Sequence, residues 1–204
     1  MTPDALADLI RQRAADTGAG RYVVALAGPP GAGKSTLAGV LVQMLGASAR
    51  AVPMDGFHFD DAILIARGQR ARKGALETFD VAGYHTLLAR LRDEYEVAIP
   101  VFDRALELSR GSADLVTKDH RILITEGNYL LLNLSPWTDL AGFFDLTVMI
   151  DVTEAELDRR LLNRWAFYGK TPAAARAWID GNDLPNIRRV TQGSRRPDVV
   201  IRWA

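Results

Sequence analysis

No cysteine occurs in the 204 residues. Disulfides, thiolate metal sites and cysteine nucleophiles are therefore excluded. Neither sign of charge is in excess, since Lys and Arg total 25, as do Asp and Glu. Binding nucleic acid by counterion release needs a basic surplus, so that class is disfavoured. No apolar run approaches the length of a membrane span. Repeats, low-complexity linkers and breaks in composition are missing too, so residues 1–204 read as one domain. The opening "MTPDALADLIRQRAAD" carries acids and an amphipathic spacing (Leu6, Leu9, Ile10) instead of a signal-peptide pattern. It reads as a helix capped by Thr2 with Pro3 at its first position. A cytoplasmic location is the expectation.

Short apolar runs alternate with helical patterns. Strands are expected at 21–27, 49–54, 121–125, 146–151 and 198–202. Each is short and nearly all apolar, as strands buried on both faces should be. Helical periodicity covers 34–46, 83–95, 154–168 and 172–180. The alternation implies an α/β layered fold with a mainly parallel sheet. Residues 97–118 break the rhythm and read as a β-hairpin turning around "SRGS".

The first apolar run ends in "GPPGAGKST", residues 28 to 36. Gly28, Gly33, Lys34 and Ser35 fit G-x-x-x-x-G-K-[ST], after a predicted strand and before a predicted helix. Gly28, Gly31 and Gly33 let several backbone N–H groups converge on one point. The helix adds its unpaired N–H groups and positive dipole end. In this loop Lys34 serves the β- and γ-phosphates, Ser35 offers a hydroxyl to Mg²⁺, and Thr36 supports the α-phosphate. Pro29 and Ala32 complete the nucleotide-binding stretch. ATP and Mg²⁺ are thus the expected cofactors.

The loop alone does not separate a switch GTPase, a motor and a small-molecule kinase. No N-K-x-D guanine motif and no L-S-G-G-Q transporter signature occurs. Asp55 stands directly after the second strand in "VPMDGFHF", and Glu126 after the third in "RILITEGN". Ligands of open α/β sheets bind beyond the carboxyl ends of the strands, so both acids should face the phosphate loop's cleft. Asp55 is placed to take a proton from an attacking hydroxyl, and Gly56 beside it to let a substrate approach. Glu126 is placed to hold Mg²⁺ through a water. The plainer reading of either acid is a helix cap or a surface charge.

The segments "GPPGAGKST", "MDGFHF", "RKGALETFD", "PVFDR", "ITEGNYLL" and "DRRLLNR" occur in an order that resembles the uridine kinase, phosphoribulokinase and type I pantothenate kinase superfamily. The likeness runs from about residue 20 to the end and is greatest to the bacterial branch labelled fructose-transport-system kinase or fructokinase. It implies a P-loop NTPase three-layer sandwich with a five-stranded sheet, an acceptor-side hairpin at 97–118 and a helical lid at about 154–181. It also implies Asp55 as catalytic base, Glu126 as the acid of the T/V/L-E-G string, and a P-x-[YF]-D hairpin at 100–103. Arg72 and Lys73, in "RKG", match a pantothenate kinase motif. Lid arginines that reach the transferring phosphate carry over to Arg160 and Arg164, four apart on one helix face. Where uridine kinases carry aromatics after P-x-[YF]-D, this chain has Arg104, which argues against a nucleoside acceptor.

The catalytic set expected is therefore Asp55, Lys34, Glu126, Arg160 and Arg164. The acceptor set is Asp55, His58, Arg72, Lys73 and Arg104, and the metal set is Ser35 and Glu126. Plainer readings stay open: a solvated basic face for the lid arginines, core packing for His58, and a cap and turn for "NDLPN" at 182–186. The function expected is ATP-dependent phosphorylation of a small hydroxylated metabolite, a sugar such as fructose. Alternatives are an anionic acceptor (pantothenate, a sugar phosphate), a nucleoside, or a regulatory ATPase acting on a protein partner. Nucleic acid and membrane are not expected as partners; a homodimer is allowed for.

Overall fold

The computed structural model describes residues 1–18 and 20–202. Five strands form one parallel sheet: β1 (Tyr22–Ala27), β2 (Ala49–Pro53), β5 (Ile122–Gly127), β6 (Leu146–Asp151) and β7 (Val199–Arg202), in the order β2-β5-β1-β6-β7. β1 and β5 are buried at every position, which is why neither alternates in polarity. Their side chains still divide by parity. Val23, Ala25 and Ala27 enter one apolar cluster, while Tyr22, Val24 and Leu26 enter the other. The sheet is thus the middle of three layers.

One outer layer holds α1 (Pro3–Ala15), α2 (Lys34–Leu45) and α5 (Glu154–Phe167), whose Leu6, Leu37 and Leu161 are fully buried. The Thr2 hydroxyl caps α1, with Pro3 in its first turn, as expected. The other layer holds α4 (Val81–Asp93), whose Tyr84, Leu87, Leu88 and Leu91 face the core. Short helices α3 (Asp61–Ala66), α6 (Pro172–Trp178) and α7 (Leu184–Gly193) complete the chain. A π-turn at 179–183 joins α6 to α7, where the periodicity had suggested helix only to 180.

The hairpin is formed by β3 (Val97–Asp103) and β4 (Leu108–Val116), a separate antiparallel pair. Its turn is not at "SRGS". The chain reverses at Arg104–Glu107, where the Asp103 carboxylate accepts from the N–H groups of Ala105 and Leu106. "SRGS" lies within β4 and makes a bulge there: Ile99 faces Asp114 but Val101 faces Arg110, and Ser112 takes φ 51°. Gly and Ser signal irregular backbone, and here that irregularity is a bulge opposite Pro100. The base of the hairpin is tied to β1 by Arg21. Its guanidinium donates to the carbonyls of Leu91, Glu94, Tyr95, Thr117 and His120 at 2.7–3.2 Å.

Candidate active site

A cleft of about 640 Å³ opens above the carboxyl ends of the parallel strands. Its floor is the glycine-rich loop between β1 and α2. Gly31 and Gly33 hold φ of 83° and 86°, a region costly for any side chain. Gly33 is the N-cap of α2, and no side chain bonds to that helix end. The first-turn N–H groups therefore stay available to an anion. Pro30, Gly31, Gly33, Lys34, Ser35 and Thr36 line the cleft, whereas Ala32 is fully buried. Gly28 packs beneath them, where a Cβ would sit 3.2 Å from both Ala32 and Ile150.

Lys34 Nζ donates to the Pro29 carbonyl (3.1 Å) and to Asn128 Oδ1 (2.5 Å). Burial pulls its pKa down to about 8, against the opposing charges of Glu126 and Asp55. Asn128 was not picked out from sequence. The available signal was its place two residues beyond Glu126, on the same side of an extended chain. Ser35 Oγ donates to Glu126 Oε1 at 2.9 Å. This hydroxyl–carboxylate pair is an all-oxygen donor set at the foot of the phosphate loop, which suits Mg²⁺ shared with nucleotide phosphates.

Asp55 and Glu126 both face this cleft as expected, although Glu126 lies within β5 and not beyond it, because β5 runs on to Gly127. Their environments push them apart. Burial would raise the Asp55 carboxyl, but the charges of Arg104, His58, Lys34 and Arg164 outweigh it and hold it below the usual range. Glu126 is pushed up, by burial first and then by the Asp55 charge. Asp55 is thus held in the ionised form, the state a proton acceptor needs. The Arg104 guanidinium ion-pairs directly with Asp55.

His58 Nδ1 lies 2.8 Å from the Asp55 carbonyl oxygen, and its ring packs between Phe79 and Phe102 (centroids 4.0 and 4.8 Å). Gly56 serves a purpose other than substrate approach. A Cβ there would lie 2.5 Å from the Pro100 carbonyl oxygen, so glycine lets the hairpin close onto the Asp55 segment. Lys73 lines the cleft, but its ammonium is committed to Asp61 (2.7 Å) and the Glu107 carbonyl (2.6 Å). Arg72 is not among the cleft-lining residues. It donates to the Gly181 carbonyl at 2.8 Å and pairs with Glu77 at 3.7 Å. The reason lies in the turn at Arg70–Arg72, which sends the adjacent side chains of Arg72 and Lys73 in different directions.

The far wall comes from α5 and the segment after it. Arg160 bonds Glu156 (2.7 Å) and the phosphate-loop carbonyl of Ala32 (3.3 Å). Arg164 lies over the Trp165 ring at 5.4 Å, and its charge is felt by both Lys34 and Asp55. Arg159, in contrast, pairs with Glu156 on the exposed side. Trp165 and Trp178 meet edge to face at 5.6 Å, with Lys170 over both. Asn182, Asp183 and Asn186 line the cleft as buried groups, not as a surface cap. Periodicity could not reveal this, because the π-turn rotates these side chains off the helical phase.

No family model matches the chain. It is 33% identical over 194 residues (89% of this chain, 83% of the relative) to a Schizosaccharomyces pombe protein named "Putative uridine kinase C227.14". It is 32% identical over 157 residues to the pantothenate kinase of Myxococcus xanthus, covering 71% of this chain and 49% of that one. A solved structure from Silicibacter sp. TM1040, titled "putative fructose transport system kinase", superposes over all of both chains with TM-score 0.94 and 40% identity.

Proposed function

We infer, from the premise that this chain belongs to the uridine kinase, phosphoribulokinase and pantothenate kinase superfamily of P-loop kinases and is an ATP-dependent small-molecule kinase, that its acceptor is a neutral polyhydroxylated metabolite. The observation that carries this reading is the engagement of the acceptor-side cations. An anionic acceptor needs a cation to receive it. Lys73 is spent on Asp61 and Glu107, Arg104 on Asp55, and Arg72 points elsewhere. Arg70 pairs with Asp61 and Lys170 lies over the Trp165 and Trp178 rings, and the other groups on that side suit hydroxyls and C–H faces: the rings of Phe79, Phe102, Trp165 and Trp178, with Asp183, Asn182 and Asn186. The name of the Silicibacter neighbour supports D-fructose as the first acceptor to try.

In the proposed mechanism the phosphate loop and Lys34 receive the ATP phosphates. Mg²⁺ supplies neutralisation of the β- and γ-phosphate charge when bound, and Ser35 and Glu126 would hold it. Asp55 accepts the proton of the acceptor hydroxyl as its oxygen bonds to the γ-phosphorus. The bond from that phosphorus to the bridging oxygen breaks, and ADP departs. Arg164, beside Lys34 and Asp55, meets the charge on the transferring group. Arg104 exchanges its bond to Asp55 for one to the transferring phosphate as the site fills, and so stays unavailable to an anionic acceptor.

Coupled ADP release with D-fructose, other hexoses, pantothenate, uridine and ribulose 5-phosphate tests the reading. Saturable turnover on a neutral sugar is expected. Turnover confined to pantothenate or ribulose 5-phosphate would overturn it.

A further inference from the structure

Asp183 is a buried carboxylate with no structural task that accounts for it. It lies within the continuous helical run from α6 through the π-turn into α7 (φ −68°, ψ −46°), where no helix end calls for a cap. Its Oδ2 accepts one hydrogen bond, from Trp165 Nε1 at 2.7 Å. Its Oδ1 accepts none among the described residues. An ionised carboxylate can accept about four hydrogen bonds, and burying it with one is costly. Burial pushes its pKa up to about 6, against the Trp165 hydrogen bond and the charges of Arg164 and Lys170.

Its position is on the acceptor side of the cleft. The preceding Asn182 amide donates to the Lys73 carbonyl at 3.0 Å, and Gly181 accepts from Arg72. Lys73 in turn holds Glu107 at the hairpin turn. The π-turn is therefore pinned to the loop and hairpin that flank Asp55. Tyr129, whose hydroxyl donates to the Gly74 carbonyl at 2.7 Å, feels the charges of both Asp55 and Asp183.

We propose that Asp183 is a specificity-determining residue of the acceptor pocket, its carboxylate held by the Trp165 indole and accepting a hydrogen bond from a non-reacting hydroxyl of the acceptor. This rests on the reading of the acceptor as a neutral polyol. A carboxylate at that point favours a hydroxyl donor and repels a carboxylate or phosphate. A pocket that hydrogen-bonds a hydroxyl also rejects the analogue lacking it.

The test begins with the native enzyme at saturating ATP and Mg²⁺, on D-fructose, D-glucose, D-mannose and D-ribose. The sugar turned over is then compared with its monodeoxy analogues in native, Asp183→Asn and Trp165→Phe proteins. A hydrogen bond to a charged group is worth about 10- to 100-fold in affinity. Asp183→Asn should raise KM for the parent sugar by that factor with kcat nearly unchanged. One deoxy analogue that the native enzyme rejects should be no worse than the parent sugar in the variant. Trp165→Phe keeps the carboxylate but frees it, so KM should rise less and the deoxy pattern should persist. Unchanged KM and deoxy discrimination in a folded Asp183→Asn protein would overturn the inference while leaving the neutral-acceptor reading intact. If Asp183→Asn fails to fold, an unchanged KM in Trp165→Phe overturns it. Native enzyme that turns over no neutral sugar removes both at once.

Discussion

Arg104, on the hairpin turn, ion-pairs with Asp55, which follows β2. Two elements far apart in sequence thus meet at the carboxylate proposed to accept the acceptor's proton. The pair keeps Asp55 ionised despite its burial. It also closes the acceptor side with protein groups alone, so an acceptor must open this contact to reach Asp55.

Arg104→Met removes the largest charge holding the Asp55 carboxyl down, leaving burial less opposed. The folded pKa of Asp55 then rises, so the acid limb of the kcat/KM profile moves to higher pH. Asp55→Asn should lower transfer roughly 10²- to 10⁴-fold at every pH while ATP still binds. Steady-state profiles between pH 4 and 8 check both. An acid limb that stays in place in Arg104→Met would mean that another group sets it.

Lys34 titrates near 8 because burial disfavours its charge. Without nucleotide it loses its proton as pH rises through that value, whereas bound phosphates favour the charged form. ATP binding above pH 8 should therefore take up a proton and weaken as pH rises. Calorimetry in buffers of different ionisation enthalpy reads the uptake directly. Lys34→Met should abolish it, along with most of the turnover. Proton uptake that persists in Lys34→Met would assign it to another group.

Of the two lid arginines, Arg160 already anchors α5 to the phosphate loop through the Ala32 carbonyl, and Arg164 stands nearer the charges of Lys34 and Asp55. Arg164→Ala should cut kcat by about 10²- to 10³-fold with little change in acceptor KM, as for loss of one transition-state donor. Arg160→Ala should act more weakly on kcat and should loosen ATP binding. Single-turnover and equilibrium measurements separate the two effects. A rise in acceptor KM at unchanged kcat would put Arg164 on the acceptor instead.

Arg21 satisfies five carbonyls at the base of the hairpin. Arg21→Met leaves several of these acceptors unpaired, and should destabilise the protein by about 2–4 kcal/mol. Urea denaturation checks it. Because the hairpin carries Arg104, the same variant should also raise acceptor KM. An unchanged midpoint would show that water replaces the guanidinium at no cost.

The parallel sheet, the phosphate loop and the two carboxylates at strand ends are legible in the residues alone. Each rests on a local rule: apolar runs buried on both faces, glycines before a helix N-terminus, and side chains beyond a strand's carboxyl end. Lys34, Ser35, Asp55 and Glu126 converge because one sheet aligns the ends of β1, β2 and β5. The acceptor side is legible only in the folded chain. That Arg104 pairs with Asp55, that Lys73 is spent on Asp61, that Arg72 turns to Gly181 and that Gly56 admits Pro100 all depend on how the hairpin lands. The inward facing of Asn182, Asp183 and Asn186 depends on one π-turn that shifts helical phase. A composition of equal charges records which ions are present. Which ion each one neutralises is set by contacts between segments up to 64 residues apart, as for Arg50 and Asp114, and no local pattern encodes those.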